Sequence, residues 1–153
     1  MPTYLCIDVL IATWTRRYSD TLIHKKKLVT SLELQDGNYV ISPFSKDSVY
    51  GHFEIKISKN DKLLVDKTIV EKPSSIEEFD NIIKERVHFV RENTSYTQHF
   101  SITGQDDFEV TGLIEFVHEP ACIPYDVGFV LRYRSGNLTV EKTKTKISDE
   151  YKL

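Results

Sequence analysis

The sequence predicts an α+β fold that is mainly β: antiparallel sheet or sheets built from hairpins, with one central helix, about 74–93, packed on a sheet face. Three observations predict it. Apolar residues alternate with polar ones at every second position in both halves of the chain. Between the halves the apolar spacing lengthens to steps of three and four. Turn residues (Asp-Gly, Ser-Gly and Gly-Gln-Asp-Asp) punctuate the alternating runs.

The elements follow in order. Leu5, Ile7, Val9 and Ile11 alternate with Cys6, Asp8 and Leu10, a strand with one strongly apolar face. Residues 28–34 and 39–41 flank Gln35-Asp36-Gly37-Asn38, and Asp-Gly supplies the positive φ of a tight hairpin. Phe53, Ile55 and Ile57 mark a half-buried strand, and residues 58–61 turn the chain into 63–70 as a second hairpin. Pro73-Ser74-Ser75 stops that run. Ser74 with Glu77, or Ser75 with Glu78, fits a capping box at a helix start. Ile76, Phe79, Ile83, Val87 and Val90 then share one helical face, and Asn93-Thr94-Ser95 ends it. Tyr96, Gln98, Phe100 and Ile102 point one way on the next strand. Phe108, Val110, Ile114 and Phe116 follow after the turn at 104–107. Residues 119–126 form a loop with two prolines. Val127, Phe129, Leu131 and Tyr133 alternate, Ser135-Gly136 turns, and 138–147 pairs back. The polar tail 148–153 is expected to fray.

The 153 residues fit a single domain, 1–153, since domains typically hold ~100–150 residues. Hydrophobic residues at 40% and charged residues at 28% argue for a globular chain. A net charge of −3 gives no global field for nucleic acid. No run approaches the ~20 apolar residues that span a bilayer, so no membrane association is expected. Residues 5–12 lack a basic flank and read as a core strand rather than a signal peptide. Cys6 and Cys122 are the only cysteines. They read as buried free thiols in a reducing compartment, which makes the expected location cytoplasmic.

Chemical motifs are sparse. The histidines are His24, His52, His88, His99 and His118, and zinc needs three or four converging ligands. His118-Glu119-Pro120-Ala121-Cys122 supplies two soft ligands at most, so no metal is expected. A catalytic thiol needs a lowered pKa. Cys6 sits within an apolar strand and Cys122 in a loop with no helix after it, and neither meets that need. Glu77/Glu78 at a helix start and Asp106/Asp107 in a turn have structural explanations. Asp8, flanked by Cys6 and Leu10 on its own face, is the acid most exposed to a shifted pKa. No phosphate-binding glycine loop, nucleophile elbow or zinc-protease motif occurs. The expectation is therefore no catalytic residue, no metal and no cofactor.

Two basic segments remain. Trp14, Arg16, Arg17 and Tyr18 combine the residue types that anchor protein interfaces, and they are the expected partner-binding residues. His24-Lys25-Lys26-Lys27 follows. Together the two could hold a single nucleic acid strand, an alternative set below a protein partner. Lys142, Lys144 and Lys146 alternate on the last strand, a pattern that blunts an exposed sheet edge.

The run Phe100-Ser101-Ile102-Thr103-Gly104-Gln105-Asp106-Asp107-Phe108-Glu109-Val110-Thr111-Gly112, preceded by a strand pair and an Ile/Phe-rich helix, resembles the WapI-like immunity proteins of bacteria. Gly128-Phe129-Val130-Leu131-Arg132 looks like their next strand. The resemblance covers roughly residues 53–133 and is architectural. Gln105 interrupts the Gly-Asp step, and 138–147 reads as a strand where that group has a terminal helix. It implies a small cytoplasmic antitoxin that blocks a partner toxin, with no catalytic residues. The expected function is thus a non-enzymatic protein-binding protein, an immunity or inhibitor protein acting by steric occlusion. The alternatives are a small-ligand binder or enzyme with a pocket between helix and sheet, near Cys6, Asp8 or His118, and a weak single-strand nucleic acid binder.

Overall fold

The computed structural model describes residues 6–13 and 23–147. Within these residues the chain forms eleven strands and no helix. They are β1 (Cys6–Thr13), β2 (Ile23–Glu33), β3 (Val40–Ile41), β4 (Glu54–Ile57), β5 (Leu63–Lys72), β6 (Ile76–Asp80), β7 (Glu85–Val90), β8 (Thr94–Thr103), β9 (Phe108–His118), β10 (Ile123–Arg134) and β11 (Asn137–Ile147). All named pairs are antiparallel, in three sheets ordered β1-β2-β8-β5, β11-β10-β9-β4 and β3-β7-β6.

The two four-stranded sheets share one apolar core. Alternation puts Leu28 and Leu32 of β2, Tyr96, Phe100 and Ile102 of β8, and Val110, Ile114 and Phe116 of β9 into it. Val127, Phe129, Leu131 and Tyr133 of β10 complete the opposite wall. Phe53 stacks on Tyr96 at 4.3 Å between centroids and lies 5.9 Å from Phe116, tying one sheet to the other. Each fully buried aromatic or aliphatic side chain contributes about 1.5–3 kcal/mol of transfer free energy. At one flank β1 lies beside β11, where Lys142 Nζ donates to the Ile7 carbonyl at 2.8 Å. At the other flank the edges are β4 and β5, and a cleft lies between them.

The expected central helix, about 74–93, is absent: residues 76–90 are the β6–β7 hairpin, and the described residues hold no helix. Three local facts account for this correction. Val87, Phe89 and Val90 bury on β7, which sits between β3 and β6 as the middle strand of the small sheet. Asp80 Oδ1 accepts the Ile82 and Ile83 amides (2.8 and 3.3 Å), and the Lys84 amide donates to the Asp80 carbonyl at 2.8 Å. That single α-like turn carries the three-and-four spacing without continuing it. The expected capping acids also go elsewhere, since Glu77 accepts from Arg86 and Glu78 from Arg91 across the strands.

Two expected hairpins are corrected as well. Asn38 N–H donates to the Gln35 carbonyl and Gly37 has φ +84°, so the 35–38 turn exists. It hands the chain from β2 to a different sheet, where β3 pairs with β7. Likewise β4 pairs with β9 and β5 with β8, so the 58–61 turn crosses between sheets. The β9–β10 and β10–β11 pairs are hairpins, the latter through Ser135 (φ 50°) and Gly136 (φ 83°). Cys122 is exposed, not buried. No helix of the described residues is long and apolar enough to cross a membrane.

Candidate functional site: the exposed edge of the small sheet

The small sheet is held to the sandwich by buried polar groups. Glu71, near the end of β5, accepts from Ser42 Oγ (2.6 Å), Tyr96 Oη (2.9 Å) and the Ser75 amide (2.7 Å). Burial and the adjacent Glu71 carboxylate push the Tyr96 hydroxyl far up, so it stays a donor. Asp47 gathers the loop before β4. It accepts from Ser45 Oγ, the Tyr50 amide (2.8 Å) and the His52 ring (2.9 Å). Burial raises its pKa, but these hydrogen bonds outweigh it and hold the carboxyl below its usual range. Tyr50 Oη donates to Asp80 Oδ2 at 2.7 Å, and Ser48 bonds Glu85, so the loop is tied to both strands of the hairpin beside its turn.

On that frame β6 is an edge strand, with nothing paired beyond it among the described residues. It exposes Ile76 (59%) and Phe79 (51%), and the hairpin tip exposes Ile82 (88%). Phe44 and Val49, on the loop bonded to the hairpin, are exposed too. Five of the seven exposed large apolar side chains among the described residues therefore belong to this one region. A cavity of about 250 Å³, lined by Pro73, Ser75, Ile76, Phe89 and Arg91, opens beside the edge. Arg91 lies 4.3 Å above the Phe89 ring and donates to Glu78 at 2.7 Å.

The same hairpin carries a hydroxyl–imidazole–carboxylate series. Ser75 Oγ lies 3.3 Å from His88 Nδ1, and His88 Nε2 lies 3.2 Å from Glu77 Oε2. Glu77 is also bound by Arg86 at 2.6 Å, and chiefly that bond lowers its pKa. The Ser75 amide, which a hydrolase would aim at an oxyanion, is occupied by Glu71. The series works as a tether that fixes β6 to β7.

Of the residues singled out in the sequence, Trp14, Arg16, Arg17 and Tyr18 lie outside the described residues, as do the side chains of Cys6 and Asp8. His24, Lys25, Lys26 and Lys27 stand on β2. His118 and Glu119 are buried, and the Cys122 thiol donates to Glu119 Oε2 at 3.2 Å. That bond, with the Glu119 charge and some burial, raises the thiol's pKa and disfavours a nucleophilic thiolate. No group of three or more His, Cys, Asp or Glu among the described residues is placed to hold a metal ion. The hairpin edge escaped the sequence because its apolar residues were assigned to a helix. The signal that could have found it is Asp80-Asn81, a turn pair inside the supposed helix.

Comparison with protein-family models, curated proteins and solved structures returns no match.

Proposed function

We propose that this chain is a non-enzymatic protein-binding protein that seats a partner on the β6–β7 edge and blocks it by steric occlusion, as an immunity or inhibitor protein does. The observation that carries the reading is the exposure of Ile76, Phe79 and Ile82 on an edge strand and its turn. An open edge offers backbone N–H and C=O groups to an added strand, and alternate side chains give specificity. A standard complex buries ~1,200–2,000 Å², with a few apolar or aromatic residues dominating. The proposed location is cytoplasmic, and the free thiol of Cys122 supports it.

The test is capture of the stoichiometric partner from native cells by the tagged protein, beside the Ile76→Ser/Phe79→Ser/Ile82→Ser triple variant. The variant should lose the partner and keep its thermal midpoint, since all three side chains are exposed. A partner retained by the variant at equal yield would remove the hairpin from the reading. The Trp14→Ala/Arg17→Ala variant, run in parallel, tests the other candidate patch.

A further inference from the structure

The cleft between β4 and β5 is the second feature of the molecule built to hold something. It measures about 750 Å³, within the range of ~300–1,000 Å³ typical of small-molecule sites. Ile55 and Ile57 of β4 and Leu63 and Val65 of β5 line it with aliphatic surface. Gln98 of β8 also lines it, the one amide on a strand face shared with Thr94, Tyr96, Phe100 and Ile102. Gln98 is only 9% exposed, and its Oε1 has no hydrogen-bond partner. A buried polar atom left without a partner is costly, so Gln98, in the cleft lining, calls for a hydrogen-bond donor. At the rim Lys59 and Lys67 are exposed cations, against the single acid Asp61.

The edges themselves argue against an added strand here. β4 has four residues, and β5 leaves its ladder between Val65 and Ile69. Short and bulged edges are the devices that prevent strand addition. We propose that the cleft binds a small amphiphile: an aliphatic chain against Ile55, Ile57, Leu63 and Val65, a carboxylate at Lys59 and Lys67, and a hydroxyl that donates to Gln98 Oε1. The chemical class is a hydroxylated fatty acid. The site stands independently of the hairpin edge.

The experiment is an amide-resolved NMR titration of the full chain with ω-hydroxydodecanoate and with dodecanoate, both below their micellar concentrations. The expected result is saturable shifts in β4, β5 and β8, with the hydroxylated probe bound several-fold more tightly. Gln98→Leu should abolish that preference while leaving dodecanoate binding in place. Lys59→Ala/Lys67→Ala should weaken both probes about tenfold, the loss of a charge-assisted contact. No saturable shift, shifts confined to β6–β7, or a preference that survives Gln98→Leu would each overturn the proposal. Because Gln98→Leu removes an unpartnered buried acceptor, the free variant should melt no lower than the parent, so failed binding is not failed folding.

Discussion

His118 is 2% exposed, and its burial, against a smaller opposing push from Glu119, holds the imidazole below its ordinary value of 6.5. The folded state therefore binds this proton more weakly than the unfolded chain. The stability tied to His118 is complete above pH 6.5 and is lost as the pH falls through the lower folded value. Urea midpoints measured on both sides of pH 6.5 should show less acid loss in His118→Leu than in the parent; equal slopes would count against it. Gly112 offers a second test at this scale. It stands opposite Phe129 in the β9–β10 ladder, and a Cβ there would come within 2.1 Å of Phe129 Cζ. Phe129 is buried and cannot swing out, so Gly112→Ala should cost about 1–3 kcal/mol in urea unfolding. Adding Phe129→Leu should recover part of that loss, because neighbouring substitutions couple.

At the scale of elements, the β6–β7 hairpin depends on a few polar atoms rather than on apolar burial of β6. Asp80 accepts two turn amides and the Tyr50 hydroxyl, and chiefly that Tyr50 bond lowers its pKa. Asp80→Ala should therefore destabilise the protein by about 1–2 kcal/mol, judged from ~0.5–1.5 kcal/mol per net hydrogen bond and more for charged ones. The loss should appear first as faster amide exchange at Ile82 to Val87, while β8 to β10 stay protected. Uniform loss across the molecule would show that the hairpin is not a separate unit of stability.

For the whole molecule, the sheet order sets where stability and folding speed lie. β2, β8, β9 and β10 each have a neighbour on both sides, whereas β6 has one and exposes its apolar residues. Native-state hydrogen exchange should be slowest in those four strands and fastest in β6. The pairing of β2 with β8 joins Leu28 to Gln98 and β1 lies beside β11, so the first sheet and its junction with the second depend on contacts far apart in sequence. Stopped-flow refolding should accordingly fall in the range of roughly milliseconds to seconds seen for non-local β topologies. A microsecond phase accounting for all of the signal would contradict the strand order.

By itself the sequence determined the strands of the sandwich, their inward faces and several of their turns. The alternation of Tyr96, Gln98, Phe100 and Ile102, and of Val127, Phe129, Leu131 and Tyr133, is a local signal that survives in the fold. It placed Gln98 on one face with Tyr96, Phe100 and Ile102, and nothing in the spacing marked it as part of a cleft. Tertiary structure decided the rest. Alternation states that a strand has a buried face but not which strand lies beside it, so the turns at 35–38 and 58–61 read as hairpins although they cross between sheets. The spacing of Ile76, Phe79, Ile83, Val87 and Val90 predicts a helix that the structure does not form. The choice fell to the extended form because β7 gains neighbours on both sides there and buries Val87, Phe89 and Val90, a reward no local spacing contains.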